Sequence, residues 1–271
     1  MAFVLIKSLV FDVVRVNSRD MEPTLNYGEA FLISKQFPAL EQGDLIYFEY
    51  PVADSSMIST FMIQRLVALP GEVLEIRRGE VYVNNQRFEI GSSLKQNYFV
   101  SAVHELDSAF RDEFKISDGG AISTNFDYSF AVNDSMAKQL AKLPYIKRME
   151  RRMEASGRYD ENCFPYHPSY PWNADHYGKL KIPKVNDTLR LDTGSIALYS
   201  QLIRDYEKNH LAISNDSIFV NGALTKEYIV KKNYYFVLGD NRGNANDSRN
   251  WGYLPESSVI GVLQNRLRRA P

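Results

Sequence analysis

Gly239-Asp240-Asn241-Arg242-Gly243-Asn244-Ala245-Asn246-Asp247-Ser248-Arg249-Asn250-Trp251-Gly252 is a run dense in Gly, Asn and Asp. These residues supply tight turns and close backbone approaches. The run follows Tyr234-Tyr235-Phe236-Val237-Leu238, an apolar stretch that reads as a strand. Acids alternate with arginines along it, so internal ion pairs among Asp240, Arg242, Asp247 and Arg249 can staple it. Read alone, it is a rigid surface loop.

Two motifs lie upstream. Asn17-Ser18-Arg19-Asp20-Met21-Glu22-Pro23-Thr24-Leu25 is a turn that starts the next element. Gln64-Arg65-Leu66-Val67-Ala68-Leu69-Pro70-Gly71-Glu72 is a strand running into a Pro-Gly turn. Each is weak by itself, and many proteins contain such turns. The three together, in this order, are specific.

Further out, short apolar runs bounded by turn residues predict strands at 13–16, 30–34, 45–50, 61–69, 73–76 and 257–263. The runs 80–83 and 88–90 flank Asn84-Asn85, and 217–220 and 224–230 flank Asn221-Gly222; both read as hairpins. Residues 131–153 are rich in helix formers interrupted by Pro144, and 198–211 is a second helix candidate. The 17 Tyr, 15 Phe, 15 Gly and 11 Pro fit a β-rich chain with many turns.

Composition excludes several classes. The 271 residues carry 32 Lys+Arg against 33 Asp+Glu, a net charge of −1, so no clustered basic excess points to nucleic acid. With 44% hydrophobic and 24% charged residues the chain is globular rather than disordered. A single cysteine, Cys163, excludes an intrachain disulfide framework and a multi-thiolate zinc site. His104, His167, His176 and His210 show no ligand spacing, so neither metal nor cofactor is expected. Residues 1–16, MAFVLIKSLVFDVVRV, form the most apolar stretch. Lys7, Asp12 and Arg15 interrupt it, so it is not a complete transmembrane helix. It also lacks the basic start and small-residue cleavage site of a signal peptide. It reads either as a buried first element or as the tail of a membrane anchor.

With these motifs in place the chain resembles the type I (leader) signal peptidases, peptidase family S26, membrane-bound serine proteases that remove signal peptides. The resemblance covers nearly the whole chain. Residues 3–18 are similar to the end of the family's membrane helix and its lead-in strand. Residues 41–48, with Gly43-Asp44, look like its Arg-Gly-Asp strand, with Gln42 where Arg is usual. Residues 164–183, with Trp172, look like the long form of Bacteroidetes-type members. The resemblance implies a mainly β fold of twisted antiparallel sheets with a second lobe carrying one or two helices. It implies an anchor end and lead-in strand at 1–16, a catalytic-type β core at 17–90 and 229–271, and an inserted variable lobe at 91–228. It also implies residence at the cytoplasmic (inner) membrane, with the folded domain on the periplasmic or outer side. The partners implied are a signal peptide or other extended peptide, membrane lipid through the N-terminal segment, and an active signal peptidase paralogue. No nucleic acid is among them.

The family's chemistry is a Ser/Lys dyad. A serine hydroxyl attacks the scissile carbonyl, and a lysine kept neutral by desolvation takes its proton. A preceding serine and a backbone N–H stabilise the oxyanion, and a further serine holds the lysine amine. Carried over by motif, Ser18 stands at the oxyanion position. Arg19 stands where Gly is usual, and Asp20 at the nucleophile. Gln64 stands at the general base, and Ala245 at the serine that orients it. Met21, Pro23, Thr24 and Leu25 match the rest of the first box. Arg65, Asp240, Asn241, Arg242, Asp247, Ser248 and Arg249 match the scaffold. The residues that differ are those that do chemistry; the stapling residues and Trp251-Gly252 match.

A carboxylate attacking an amide gives a mixed anhydride that reverts, and Gln64 cannot accept a proton at neutral pH. The favoured reading of Asp20 and Gln64 is therefore a hydrogen-bonded pair, amide donating to carboxylate. Three functions compete. One is a peptidase-inactive paralogue that keeps an extended-peptide groove. The second is an active serine-type signal peptidase with non-standard residues. The third is a structural or assembly partner of an active paralogue.

Overall fold

A computed structural model describes residues 10–36, 39–51, 60–89 and 94–266. The first nine residues, the bulk of the N-terminal apolar segment, lie outside that set, and so do both readings of it, a buried first element or the tail of a membrane anchor. Among the described residues no helix is long and apolar enough to cross a membrane.

The architecture is mainly β. Its centre is a seven-stranded sheet in the order Phe11–Arg15, Ala30–Ser34, Val259–Arg266, Leu45–Glu49, Phe61–Ala68, Tyr234–Leu238, Leu254–Pro255. The last long strand is inserted between two early ones, so the two ends of the described chain share one sheet. Antiparallel pairing sets Leu238 opposite Arg65. That register brings the loop leaving Leu238 to the strand carrying Gln64. Phe61–Ala68 is buried along both faces, as expected for a strand covered on both sides. One apolar cluster joins Ile46, Phe48, Leu66, Val237 and Trp251. Another joins Val14, Met21, Leu25, Ile33 and Ile63.

A four-stranded sheet of Tyr177–Lys181, Val73–Arg77, Glu80–Val83 and Gln86–Arg87 continues the core. Another, Ile146–Arg151, Gln96–Ala102, Asp127–Val132 and Gly119–Ala121, has its own cluster around Val100, Phe130 and Leu140. Its helices Ser108–Glu113 and Asp134–Leu140 start at Asp107 and Asn133, whose side chains accept from Phe110 N and Met136 N. Each satisfies one orphan N–H of the first turn.

Several local expectations are corrected. The helix expected over 131–153 spans only Asp134–Leu140, and Ile146–Arg151 is a strand paired with Gln96–Ala102. Pro144 separates the two, and the vacant sheet edge overrides the helix propensity of that sequence. The helix expected over 198–211 runs Ile196–Gln201 and continues as a π-helix, Leu202–Tyr206. Lys208, at φ 56°, turns the chain away, and Leu211–Ser214 becomes a strand. In the first hairpin Asn84 and Asn85 both take positive φ, 52° and 64°, the geometry of a two-residue primed turn. Pairing therefore resumes at Gln86–Arg87, the Phe88 N–H still donates to the Val81 carbonyl at 2.9 Å, and residue 90 of the expected strand lies outside the described residues. In the second, the return strand is only Ala223–Leu224. Glu227–Ile229 leaves to pair with Thr188–Arg190.

Candidate active site

The three motifs meet at the end of the Phe61–Ala68 and Tyr234–Leu238 strands. Met21 and Leu25 are buried in the cluster around Ile33 and Ile63, which anchors the 18–25 turn. The Leu25 N–H donates to the Met21 carbonyl at 2.9 Å. Asp20 is thereby held at the rim. Its main-chain carbonyl accepts the Asn241 N–H at 2.8 Å, and Asn241 Nδ2 donates to the Arg19 carbonyl at 3.2 Å. Gly239 makes this approach possible: a Cβ there would stand 2.6 Å from the Asp20 carbonyl oxygen and 2.3 Å from Ala245 Cβ. Only a residue without a Cβ fits so close a backbone contact.

The Asp20 side chain is half-buried. Desolvation, reinforced by the Asp247 charge, pushes its carboxyl up to about 6. Hydrogen bonding from Ser18, Gln64 and the Asn246 backbone opposes this shift and is outweighed. Ser18 Oγ also accepts the Asp20 N–H at 3.3 Å, so the hydroxyl at the oxyanion position is turned toward Asp20. Gln64 is fully buried. Its Nε2 donates to the Asn246 carbonyl at 2.8 Å, while its Oε1 has no partner. The amide's hydrogen bond is to the loop backbone, which no sequence signal indicates, and from there it favours the ionised form of Asp20. Ala245, half-buried, offers only a methyl group at this point.

Two ion pairs brace the floor. Arg65 grips Asp240 with Nε to Oδ1 at 2.9 Å and NH2 to Oδ2 at 2.6 Å, and its NH1 donates to the Gly43 carbonyl at 2.9 Å. Thr24 Oγ1 donates to the same carboxylate. Arg249 grips Asp247 with Nε to Oδ1 at 2.9 Å and NH2 to Oδ2 at 2.8 Å. Asp247 also caps the short helix Ser248–Trp251 in a capping box with Asn250. Ser248 Oγ accepts the Val237 N–H at 3.1 Å. Arg242 pairs with neither acid side chain; its Nε donates to the Gly239 carbonyl at 3.0 Å. Asp20 feels the Asp247 charge, yet the two are not an aspartic-protease dyad. Such a dyad shares one proton between two carboxylates, and Asp247 already has both oxygens on a guanidinium.

Sequence reading missed Lys95, Ser117 and Asp118. Lys95 is buried and donates to Glu22 Oε2 at 2.6 Å, Ser117 Oγ at 2.7 Å and Asp118 Oδ2 at 3.4 Å. Asn241 Nδ2 reaches Asp118 Oδ2 at 3.0 Å, and Lys95 N donates to the Asp240 carbonyl at 3.0 Å. Lys95 and Ser117 touch as a Ser/Lys pair, but a base needs a free lone pair. This ammonium is committed to two carboxylates and works as a staple. No motif surrounds it, so only the fold reveals it. Cys163 is no substitute nucleophile: burial, then the neighbouring Asp160 charge, pushes its thiol up to about 12. Among the described residues no group of three or more His, Cys, Asp or Glu is placed to hold a metal.

The family model described as "Signal peptidase, peptidase S26" matches residues 1–149 and 181–267. The chain belongs to the S26 signal peptidase family. It is similar to Signal peptidase I of Aquifex aeolicus (strain VF5), 23% identical over 266 residues, covering 96% of this chain and 77% of that protein. Signal peptidase I of Buchnera aphidicola subsp. Schizaphis graminum is 22% identical over 284 residues, covering 95% and 68%. Signal peptidase I P of Bacillus subtilis subsp. natto is 25% identical over 134 residues, covering 48% and 65%. In this S26 member the three sequence motifs converge on one rim, with Asp20, Gln64 and Ala245 around it.

Proposed function

We propose that this S26 member binds an extended signal peptide and does not cut it. Its relatives bear the name signal peptidase, which makes signal peptides the class of ligand to test. The observation that carries the reading is the state of Gln64. At the family's base position stands an amide that is fully buried and bonded to the Asn246 carbonyl at 2.8 Å. An amide nitrogen has no basic lone pair, so a hydroxyl delivered to this rim would have no proton acceptor there. A groove that holds peptide by strand addition needs backbone edges and shallow pockets, not a base. The test is a labelled synthetic signal peptide mixed with the pure chain. Anisotropy follows binding and mass spectrometry follows cleavage. Saturable binding of intact peptide supports the reading. Absence of binding favours an assembly partner instead.

One observation favours the second reading, an active peptidase. A carboxyl with its pKa at about 6 beside the groove sits where a general base for water operates at neutral pH. Cleavage that rises with pH through 6 and disappears in Asp20→Asn would establish it.

The proposed site of action is the outer face of the cytoplasmic membrane, beside an active paralogue. Exposed Phe11 and Val13, which follow the apolar first ten residues in sequence, support the membrane part, since exposed apolar side chains continuing an apolar segment favour a lipid surface. Flotation with vesicles that weakens in a Phe11→Ser, Val13→Ser variant is the expected result. Unchanged flotation would overturn it.

A further inference from the structure

Away from the rim, a cleft of about 380 Å³ opens between the hairpin 80–87, the strand ends at Gln96 and Arg151, and the loop at Arg242. That volume lies in the range of small-molecule sites. Its wall is unusual in its unsatisfied donors. Arg151 Nε and NH2 and Arg242 NH2 are buried nitrogens without any hydrogen-bond acceptor. Both side chains line this cleft. Arg242 is only 6% exposed, and desolvation, then repulsion from Arg249, lowers its pKa to about 10. Buried donors are nearly always paired, and a buried guanidinium without an acceptor is more costly still.

The acids nearby are engaged elsewhere. Glu80 pairs with Arg87. Asp134 Oδ1 accepts the Tyr98 hydroxyl at 2.7 Å. Asp175 Oδ2 accepts the Glu154 N–H at 2.9 Å, and among the described residues no ion pair joins it to Arg151. Glu89 lines the cleft with an exposed side chain. Gly79 leaves the room Arg151 occupies: a Cβ there would fall 2.1 Å from Arg151 NH2.

We propose that this cleft binds a phosphate group, free or at the head of a larger molecule, on the guanidinium groups of Arg151 and Arg242. The Nε–NH2 edge of Arg151, covered in the empty cleft, matches two oxygens side by side once the side chain turns it toward the anion. A donor from a second guanidinium serves a third oxygen, which a tetrahedral anion has and a carboxylate lacks. Because Arg242 belongs to the loop that carries Ala245, the bound anion would also tie that loop to the strand Ile146–Arg151.

Calorimetric titration of the full chain at constant ionic strength tests this, with inorganic phosphate, glycerol phosphate and acetate as probes. The expected result is saturable phosphate binding at one site per chain, at least tenfold tighter than acetate. Arg151→Gln should weaken it at least tenfold. Glu89→Gln, an exposed change that leaves the fold intact, should tighten it several-fold by removing a repelling charge. Vesicles with and without phosphatidylglycerol distinguish the sources. Glycerol phosphate bound tenfold tighter than inorganic phosphate, with capture by phosphatidylglycerol vesicles alone, marks a lipid headgroup. Equal binding of the two soluble probes and no vesicle preference marks a free phosphate. Absence of saturable binding, acetate binding as tight as phosphate, or binding unchanged in both variants overturns the proposal.

Discussion

Gln64 Nε2 donates to the Asn246 carbonyl at 2.8 Å, which ties the strand Phe61–Ala68 to the loop that follows Leu238. The sequence resemblance leads one to expect a proton-accepting lysine at this position. Here an amide at the same position makes a cross-link between two motifs. The neighbouring Asp20 carboxyl is left half-buried, with donors around it and the Asp247 charge behind it.

The unmodified chain is expected to leave a synthetic signal peptide intact. Asp20→Ser alone should not restore cleavage, since the hydroxyl gains no proton acceptor. Asp20→Ser with Gln64→Lys should cleave weakly, and adding Ala245→Ser should do best, because residues that act as a unit are strongly non-additive. Mass spectrometry of the products checks each step. Robust turnover by the contaminant-free parent chain would sink the inactive reading.

Asp20 should make stability fall as pH rises. Its carboxyl pKa is raised in the fold, from 3.8 to about 6, so the unfolded chain releases the proton first. The penalty is absent below about pH 4, grows between about 4 and 6, and is complete above. Asp20→Asn should therefore gain about 3 kcal/mol at pH 8 and close to nothing at pH 3.5. Urea unfolding at the two pH values reads this directly. A gain that is the same at both would show that the carboxyl is not the cause.

Arg65→Ala should cost about 3–5 kcal/mol, because it strands Asp240 as a buried, unpaired charge. Asp240 is 1% exposed as a side chain and Arg65 15%. Replacing both partners with apolar residues, as Arg65→Met with Asp240→Leu, should cost clearly less than the single change. Denaturant midpoints of the three proteins settle the comparison, and additive losses would contradict it.

Lys95→Met should cost less than Arg65→Ala, about 2–3 kcal/mol, because it removes the buried cation but leaves Glu22 and Asp118 the half-exposed Arg19, at 3.8 and 3.7 Å. Ser117→Ala removes one neutral partner and should cost only about 1 kcal/mol. Hydrogen exchange should show the 18–25 turn and the strand Gln96–Ala102 loosening together in Lys95→Met. Loosening confined to one of them would refute the staple.

Short apolar runs bounded by turn residues determined most core strands from the sequence alone. Ala30–Ser34 and Tyr234–Leu238 lie where those signals put them, because a strand buried on at least one face must alternate or run apolar. The acid–arginine alternation of the 240–249 loop likewise announced ion pairs, since such charges can be buried only together. The tertiary structure alone decided which arginine serves which acid. Asp240 takes Arg65, which lies 175 positions away in sequence, and Asp247 takes Arg249, two positions away. It also decided that 146–151 is a strand. Local propensity there favours a helix by tenths of a kcal/mol per residue, less than the hydrogen bonds and side-chain contacts that Gln96–Ala102 offers along a whole edge. Lys95 and the Arg151–Arg242 cleft have no sequence signature at all. Their chemistry comes from partners distant along the chain, and burial then makes each contact, or its absence, count.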